Sequence, residues 1–443
     1  SSYEAVITIC DGEDTNTNNV LLAASYSDIG DIYKKRHEYS KALSYYEKAL
    51  ELKQKTISQN HSLLAPFHCN LGLIHNQMKE YSKALTHLEI ALTITQDVLP
   101  HDHPDLAYYH YEIGNVYFSM KDYSKALSHF ENAVRIKRKF LPSNHLSIAD
   151  IYFNIGQTFF NLNEYTNAIS YHEKVLKIRQ KILGADHCSL VNQYNTMAKI
   201  YEEMKDYSKA LSFYEKALQI QQETLPDDHP NLANVYNAMG SVYNYMGEWS
   251  KALLFCEKAL AIYQKSLPSD HLQIATVYTN IGSIYRSTEE DSKAYSWCKK
   301  ALKIYEKNLP SNHFVLLAAY HNIGRICQDM GEYSQALIYY QQALEIQERT
   351  LAPHHSSLAN LYTNIADLYM KTNQYATALI YYEKALEIQE KTLPSNHIDL
   401  AMTYNGIGTA YKDMGEFTKA YAYLKRFLQI SQPYLSSLNT DNA

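Results

Sequence analysis

The 443 residues contain no run of 18 apolar residues, which excludes the ordinary signature of a membrane-spanning helix. The first residues, "SSYEAVITIC", lack the basic and then apolar regions of a secretory signal. Lysine and arginine are scattered along a chain of formal net charge −6, so the concentrated basic footprint that nucleic acid requires is missing. The six cysteines (Cys10, Cys69, Cys188, Cys256, Cys298 and Cys327) include no C-x-x-C pair. Most stand where other parts of the chain carry apolar residues, as reduced, buried thiols would. A single sequon, Asn60-His61-Ser62, is the kind of match that chance supplies. These observations predict a soluble, cytoplasmic, monomeric chain with no membrane or nucleic-acid partner.

The signatures of catalysis are missing too. There is no phosphate-binding loop, no dinucleotide-binding glycine fingerprint, no H-E-x-x-H and no nucleophile elbow. The expectation is a protein that is not an enzyme and needs no cofactor.

What is present is repetition. His61, His103, His145, His187, His229, His271, His313, His355 and His397 are each 42 residues apart, and such regularity marks a repeat architecture. The copies run 20–61, 62–103, 104–145, 146–187, 188–229, 230–271, 272–313, 314–355, 356–397 and 398–436. Before them lies a segment, 1–19, read as the remnant of a preceding copy, and after them a polar tail, 437–443. A small residue recurs at Gly30, Gly72, Gly114, Gly156, Ala198, Gly240, Gly282, Gly324, Ala366 and Gly408, and a second at the series from Ala42 to Ala420. Both are expected to be points of close helix contact.

Within one copy the apolar spacing is helical and forms two stripes, so each copy predicts two helices. The turn between them places Gly247, Gly331, Gly415, Asn163 or Asn373 where a helix commonly ends in the left-handed region. A turn this short makes the helices antiparallel. The second helix is expected to stop near Pro100, Pro142, Pro226, Pro268, Pro310 and Pro394. The Asp or Asn that precedes the phased histidine in all copies but the one at His355 is expected to cap the next helix. The aromatic position that opens the second helix (Tyr39, Tyr81, Tyr123 and onward) holds Asp291 in the seventh copy, which marks that unit as different from its neighbours.

The pattern of small residue, aromatic, alanine, aromatic, alanine over a helix-turn-helix resembles the tetratricopeptide repeat. The length of 42 residues and phrases such as "LPDDHPNLANVYNAMGSVYNYMGEWSKALLFCEKALAI" are similar to the variant found in kinesin light chains. The resemblance implies an all-α, right-handed α-solenoid of ten antiparallel helix pairs. It also implies that the first helix of each pair lines a concave groove.

Phased histidines invite a metal reading. Stacked helices lie about 8–10 Å apart, whereas a zinc ion needs its ligands about 2 Å away, so the histidines are read as structural residues of the helix-starting loops. The 41 tyrosines are read as core residues with hydroxyls at the rim.

Positions that vary between copies are free for function. Taking the first small residue as origin, helical geometry groups the positions six before, two before, one after and five after it on one face away from the core. Asparagine dominates the position two before. The candidate groove residues are Asn70, Asn115, Asn154, Gln157, Asn192, Lys199, Asn234, Asn280, Asn322, Arg325 and Asn364. An amide offers donors and an acceptor to an extended backbone whatever its side chains. The expected function is a scaffold or adaptor that holds an extended peptide segment of a partner protein. The alternative is the recognition or autoinhibitory arm of a larger enzyme, such as an ADP-ribosyltransferase or nucleotide-binding protein, whose catalytic domain lies outside this chain.

Overall fold

The computed structural model describes residues 16–57, 62–184, 187–352 and 354–440. His61, Cys10, the sequon asparagine and most of segment 1–19 lie outside the described residues. Contacts divide the chain into two compact units, Ser1–Ile220 and Gln221–Ala443. The first holds α1 (Asn16–Lys35), α2 (Tyr39–Thr56), α3 (Ala65–Gln77), α4 (Tyr81–Val98), α5 (Pro104–Ser119), α6 (Tyr123–Phe140), α7 (Leu146–Asn161), α8 (Tyr165–Leu183), α9 (Val191–Glu203) and most of α10 (Tyr207–Thr224). The second holds α11 (Pro230–Tyr245), α12 (Trp249–Ser266), α13 (Leu272–Ser287), α14 (Asp291–Asn308), α15 (Phe314–Asp329), α16 (Tyr333–Thr350), α17 (Ser356–Lys371), α18 (Tyr375–Thr392), α19 (Ile398–Asp413) and α20 (Phe417–Thr440). Among the described residues there is no strand, and no helix is long and apolar enough to cross a membrane. The last helix continues to Thr440, into the segment whose sequence reads as a polar tail.

The fold class is an all-α solenoid of helix pairs. Within each unit, odd and even helices pair antiparallel, the even helix packs on the next odd one, and successive odd helices also touch. The recurring small residue explains how the pair closes. A methyl group on Gly114 would sit 2.7 Å from the Phe130 ring, and one on Gly324 would sit 2.8 Å from Tyr340. Phe130 and Tyr340 are among the most deeply buried large side chains. In two copies the knob is a cysteine: Cys256 and Cys298 press on Gly240 and Gly282, and burial pushes their thiols up to about 12 and about 11.

The turns hold the expected left-handed residues, Gly247, Gly331, Gly415, Asn163 and Asn373. In the other copies His37, Lys79, Lys121, Lys205 and Glu289 adopt the same positive φ. The turn persists because its bonding does not depend on the side chain. The residue after the left-handed one donates its N–H to a carbonyl in the last turn, as Glu248 does to Tyr243 at 2.9 Å and Asp122 to Tyr117 at 2.9 Å.

The connector between copies departs from expectation in one respect. The cap is the histidine itself, not the Asp or Asn before it. His103, His145, His187, His229, His271, His313, His355 and His397 each have extended backbone, and each Nδ1 accepts from the backbone N–H two residues on. The histidine N–H in turn donates to the carbonyl three residues back, which belongs to proline in six of these joints, for example His229 to Pro226 at 2.9 Å, and to Ala352 at His355. The preceding acid is released for other work: Asp102 pairs with Arg135 and Lys139, and Asp270 with Lys307. Among the described residues no three metal-ligating side chains gather.

Three other imidazoles in the first unit are held neutral. Burial, with the charges of His68 and His75, pushes His87 down to about 4. Burial and His129, with a smaller push from Arg135, bring His110 down to about 4. Burial and Arg179 bring His172 down to about 4, against a 3.1 Å hydrogen bond from Gln193. A folded-state value below the unfolded one means that the unfolded chain binds more protons, so this stability is complete above 6.5 and is lost as the pH falls toward 4. Glu202, pushed up to about 7 by burial, acts in the opposite sense. The variant His172→Tyr restores the residue that stands at this position as Tyr46, Tyr214, Tyr340 and Tyr382. Its melting temperature should gain on wild type progressively as the pH drops from 6.5 toward 4. A difference independent of pH would refute the assignment.

Candidate functional site

The candidate residues lie on the odd-numbered helices of both units. In this structure the asparagine row is first of all a clasp between copies. The Nδ2 of Asn70 donates to Ser27 Oγ at 3.2 Å, that of Asn154 to the Tyr111 hydroxyl at 3.1 Å, and that of Asn280 to Asn237 Oδ1 at 2.9 Å. Asn364 meets His321 Nε2 at 3.4 Å. In every case the partner stands 43 residues earlier, on the preceding odd helix. A second diagonal runs at an offset of 39: Asn154 also donates to Asn115 Oδ1 at 2.9 Å, and Gln273 to Asn234 Oδ1 at 3.1 Å. Asn115 in turn donates to Glu112 Oε2 at 3.2 Å, and burial pushes that carboxyl above its usual range. All of the paired asparagines except Asn234 are half-buried.

The acidic residues of this face are likewise committed. Asp31 accepts from the hydroxyl of the core residue Tyr46 at 2.7 Å, and Asp367 from that of Tyr382. Asp150 pairs with Arg179 at 3.0 Å. Gln157 is half-buried, and its carbonyl accepts from Asn161. Asn192 and Lys199 are exposed on α9 and take no part in the clasp network.

One position breaks the pattern. The residue 43 before Asn322 is Thr279, whose hydroxyl is already engaged with the Ala275 carbonyl at 3.0 Å and the Tyr305 hydroxyl at 3.3 Å. Asn322 is exposed and makes no clasp. It borders a cavity of about 80 Å³ between α13 and α15, together with Thr279, Ser283, Arg286 and Arg325. Among the described residues neither guanidinium has an ion-pair partner. Burial, and after it the charge of Asp329, raises the Asp291 carboxyl, and Arg286 opposes them. The two guanidinium charges, after burial, hold His321 below the usual imidazole range. An uncommitted amide and two guanidinium groups around a small recess are donors that suit an oxyanion, and the fork of arginine suits a carboxylate in particular.

Arg286 is the residue that helical phasing missed. It falls outside the four positions assigned to the face, but it stands 39 residues before Arg325, the same offset that joins Asn115 to Asn154. Searching the sequence at offsets of 39 and 43 would have found it.

Models of the tetratricopeptide repeat match residues 63–139, 147–223, 189–265, 231–307, 273–349 and 357–432, and a further one matches 22–63. No curated protein matches the sequence. Among solved structures, the quorum sensor NprR from B. thuringiensis in its apo form aligns with a TM-score of 0.55 at 14% identity, over 82% of this chain and 97% of its own. Nearly identical TPR-like repeats of the kinesin light chain type from Podosopora anserina align with a TM-score of 0.43 at 25% identity, over 46% of this chain and 98% of theirs. BtubC from P. vanneervenii aligns with a TM-score of 0.42 at 20% identity, over 55% of this chain and 92% of its own.

The clasp separates two kinds of asparagine. Asn154→Ala and Asn280→Ala should each lower unfolding free energy by about 0.5–1.5 kcal/mol in urea titrations, the worth of a hydrogen bond. Asn322→Ala should stay within about 0.5 kcal/mol of wild type, as exposed positions do. Equal losses at all three would show that the clasp carries no stability.

Proposed function

Because the chain belongs to the tetratricopeptide repeat family, we propose that it is a protein-interaction scaffold whose odd-helix face holds an extended segment of a partner, anchored at Arg286, Asn322 and Arg325. The observation that carries this reading is the open clasp at Asn322, flanked by two guanidinium groups without an ion-pair partner. Elsewhere along the row the amides bind their own neighbours, so the row as a whole is a floor rather than a continuous grip. At Asn322 the donor is available to a ligand backbone, and the two arginines select a carboxylate beside it. Asn192 and Lys199 offer a further exposed polar stretch in the first unit.

An array of synthetic peptides probed with the full chain tests this proposal. The strongest binder should lose about ten- to a hundredfold in affinity on Arg286→Ala or Arg325→Ala, the range for hydrogen bonds to charged groups. Changing the binder's Asp or Glu to the amide should abolish the difference between wild type and either variant. Binders indifferent to both arginines and to Asn322 would reject this site.

A further inference from the structure

A different surface stands out on the even-numbered helices of the seventh and eighth copies. Between α14 and α16 runs a groove of about 660 Å³ whose walls include Tyr295, Lys299, Lys300, Lys303, Ile338 and Tyr339. Comparison of the copies shows how unusual it is. Five residues beyond the second small residue, the first six copies carry Glu47, Glu89, Glu131, Glu173, Glu215 and Glu257, whereas the seventh carries Lys299 and the tenth Lys425. One residue beyond the second small residue stands an aliphatic side chain such as Leu43, Leu211 or Leu337 in most copies, and a tyrosine, Tyr295 or Tyr421, in the same two. Of these two, the seventh alone opens its helix with Asp291 instead of an aromatic.

The lysines of the groove are unpaired. On the same helix Lys293 pairs with Glu290 and Lys307 with Asp270, but among the described residues Lys299, Lys300 and Lys303 have no ion-pair partner. Lys299 reaches the Tyr295 hydroxyl at 3.4 Å, and Lys300 lies 4.2 Å from the centre of the Trp297 ring. Glu306, at the end of the groove, is engaged by the Tyr320 hydroxyl at 2.9 Å. The Tyr295 and Tyr339 hydroxyls meet across the groove at 3.3 Å, and Ile338 stands beside them, 56% exposed. In a chain of net charge −6 three neighbouring unpaired ammonium groups above an aromatic and aliphatic wall make a surface complementary to negative charge with apolar content.

We propose that this groove docks an acidic segment of a partner protein, with carboxylates on the three lysines and an aliphatic or aromatic side chain against Ile338 and Tyr339. The lysines stand on an even-numbered helix, whereas Arg286 and Arg325 stand on odd-numbered ones. Lys299 and Lys303 are one helical turn apart on the same face, which lets carboxylates along a segment lying parallel to the helices meet both.

The test uses the full chain and a fluorescein-labelled peptide whose Glu residues flank a Leu and a Phe, with a Gln-for-Glu version as control. The Glu peptide should bind and the Gln peptide should not. The double variant Lys299→Glu, Lys303→Glu installs the charge that other copies already carry at the first position, so helicity by circular dichroism should be kept while affinity falls about tenfold or more. Ile338→Ser should weaken binding severalfold. Equal binding of the two peptides, or insensitivity to the lysine reversals, overturns the proposal. Tighter binding of phosphatidylserine vesicles or of single-stranded RNA through the same lysines would overturn it in favour of those ligands.

Discussion

Two antiparallel helices approach closely only where one of them presents no side chain, and this array repeats that condition once in every copy. The glycine or alanine of the first helix receives the knob of the second, whether Tyr46, Phe130, His172 or Cys298. A knob sits in a hole of fixed size, so its chemistry can vary while the backbone spacing does not. Constant spacing then lets the next pair meet the same surface. Each copy buries its remaining apolar face only against its neighbour, and stability is a chain of nearest-neighbour terms. Side chains in the holes tune individual links, and the neutral imidazole at His172 makes one of them sensitive to acid.

The features that repeat were legible without coordinates. The period, the helix pairs, the small contacts and the glycine and asparagine turns are all set by conditions within one copy, and periodicity reports such conditions directly. The features that failed to show are those in which one copy depends on another. Sequence reading assigned the caps to Asp or Asn because those are good capping residues, but the extended backbone at the histidine puts its imidazole, not its neighbour's carboxylate, over the free N–H groups. The asparagine row stands on the odd-numbered helices, and its partners, Ser27, Tyr111, Asn237 and His321, share no residue type. No pattern within a single copy could have shown them.

Variation therefore has two meanings along this chain. At the clasp it is complementary: a residue changes together with what it touches, as Tyr111 and Asn154 illustrate. In the seventh and eighth copies it is not. There Asn322, Arg286 and Arg325 on one set of helices, and Lys299, Lys300 and Lys303 on the other, form neither an ion pair nor a clasp with their neighbours. Exposed charges of this kind are solvated by water and remain open to a ligand, which is why both proposals fall in these two copies.

The connector of proline carbonyl and capping histidine has a consequence for how such a gene changes length. Most copies carry the same joint at both ends, so unequal recombination between them can add or delete a whole copy without creating a new kind of junction. The diagonal amide bonds act against reordering. If a unit carrying Asn280 were moved to follow the one carrying Phe153, its amide would face an aromatic ring instead of Asn237, and the link would be lost. Growth and shrinkage by tandem duplication are thus tolerated more readily than shuffling, and the order of units is inherited as a physical property of the protein.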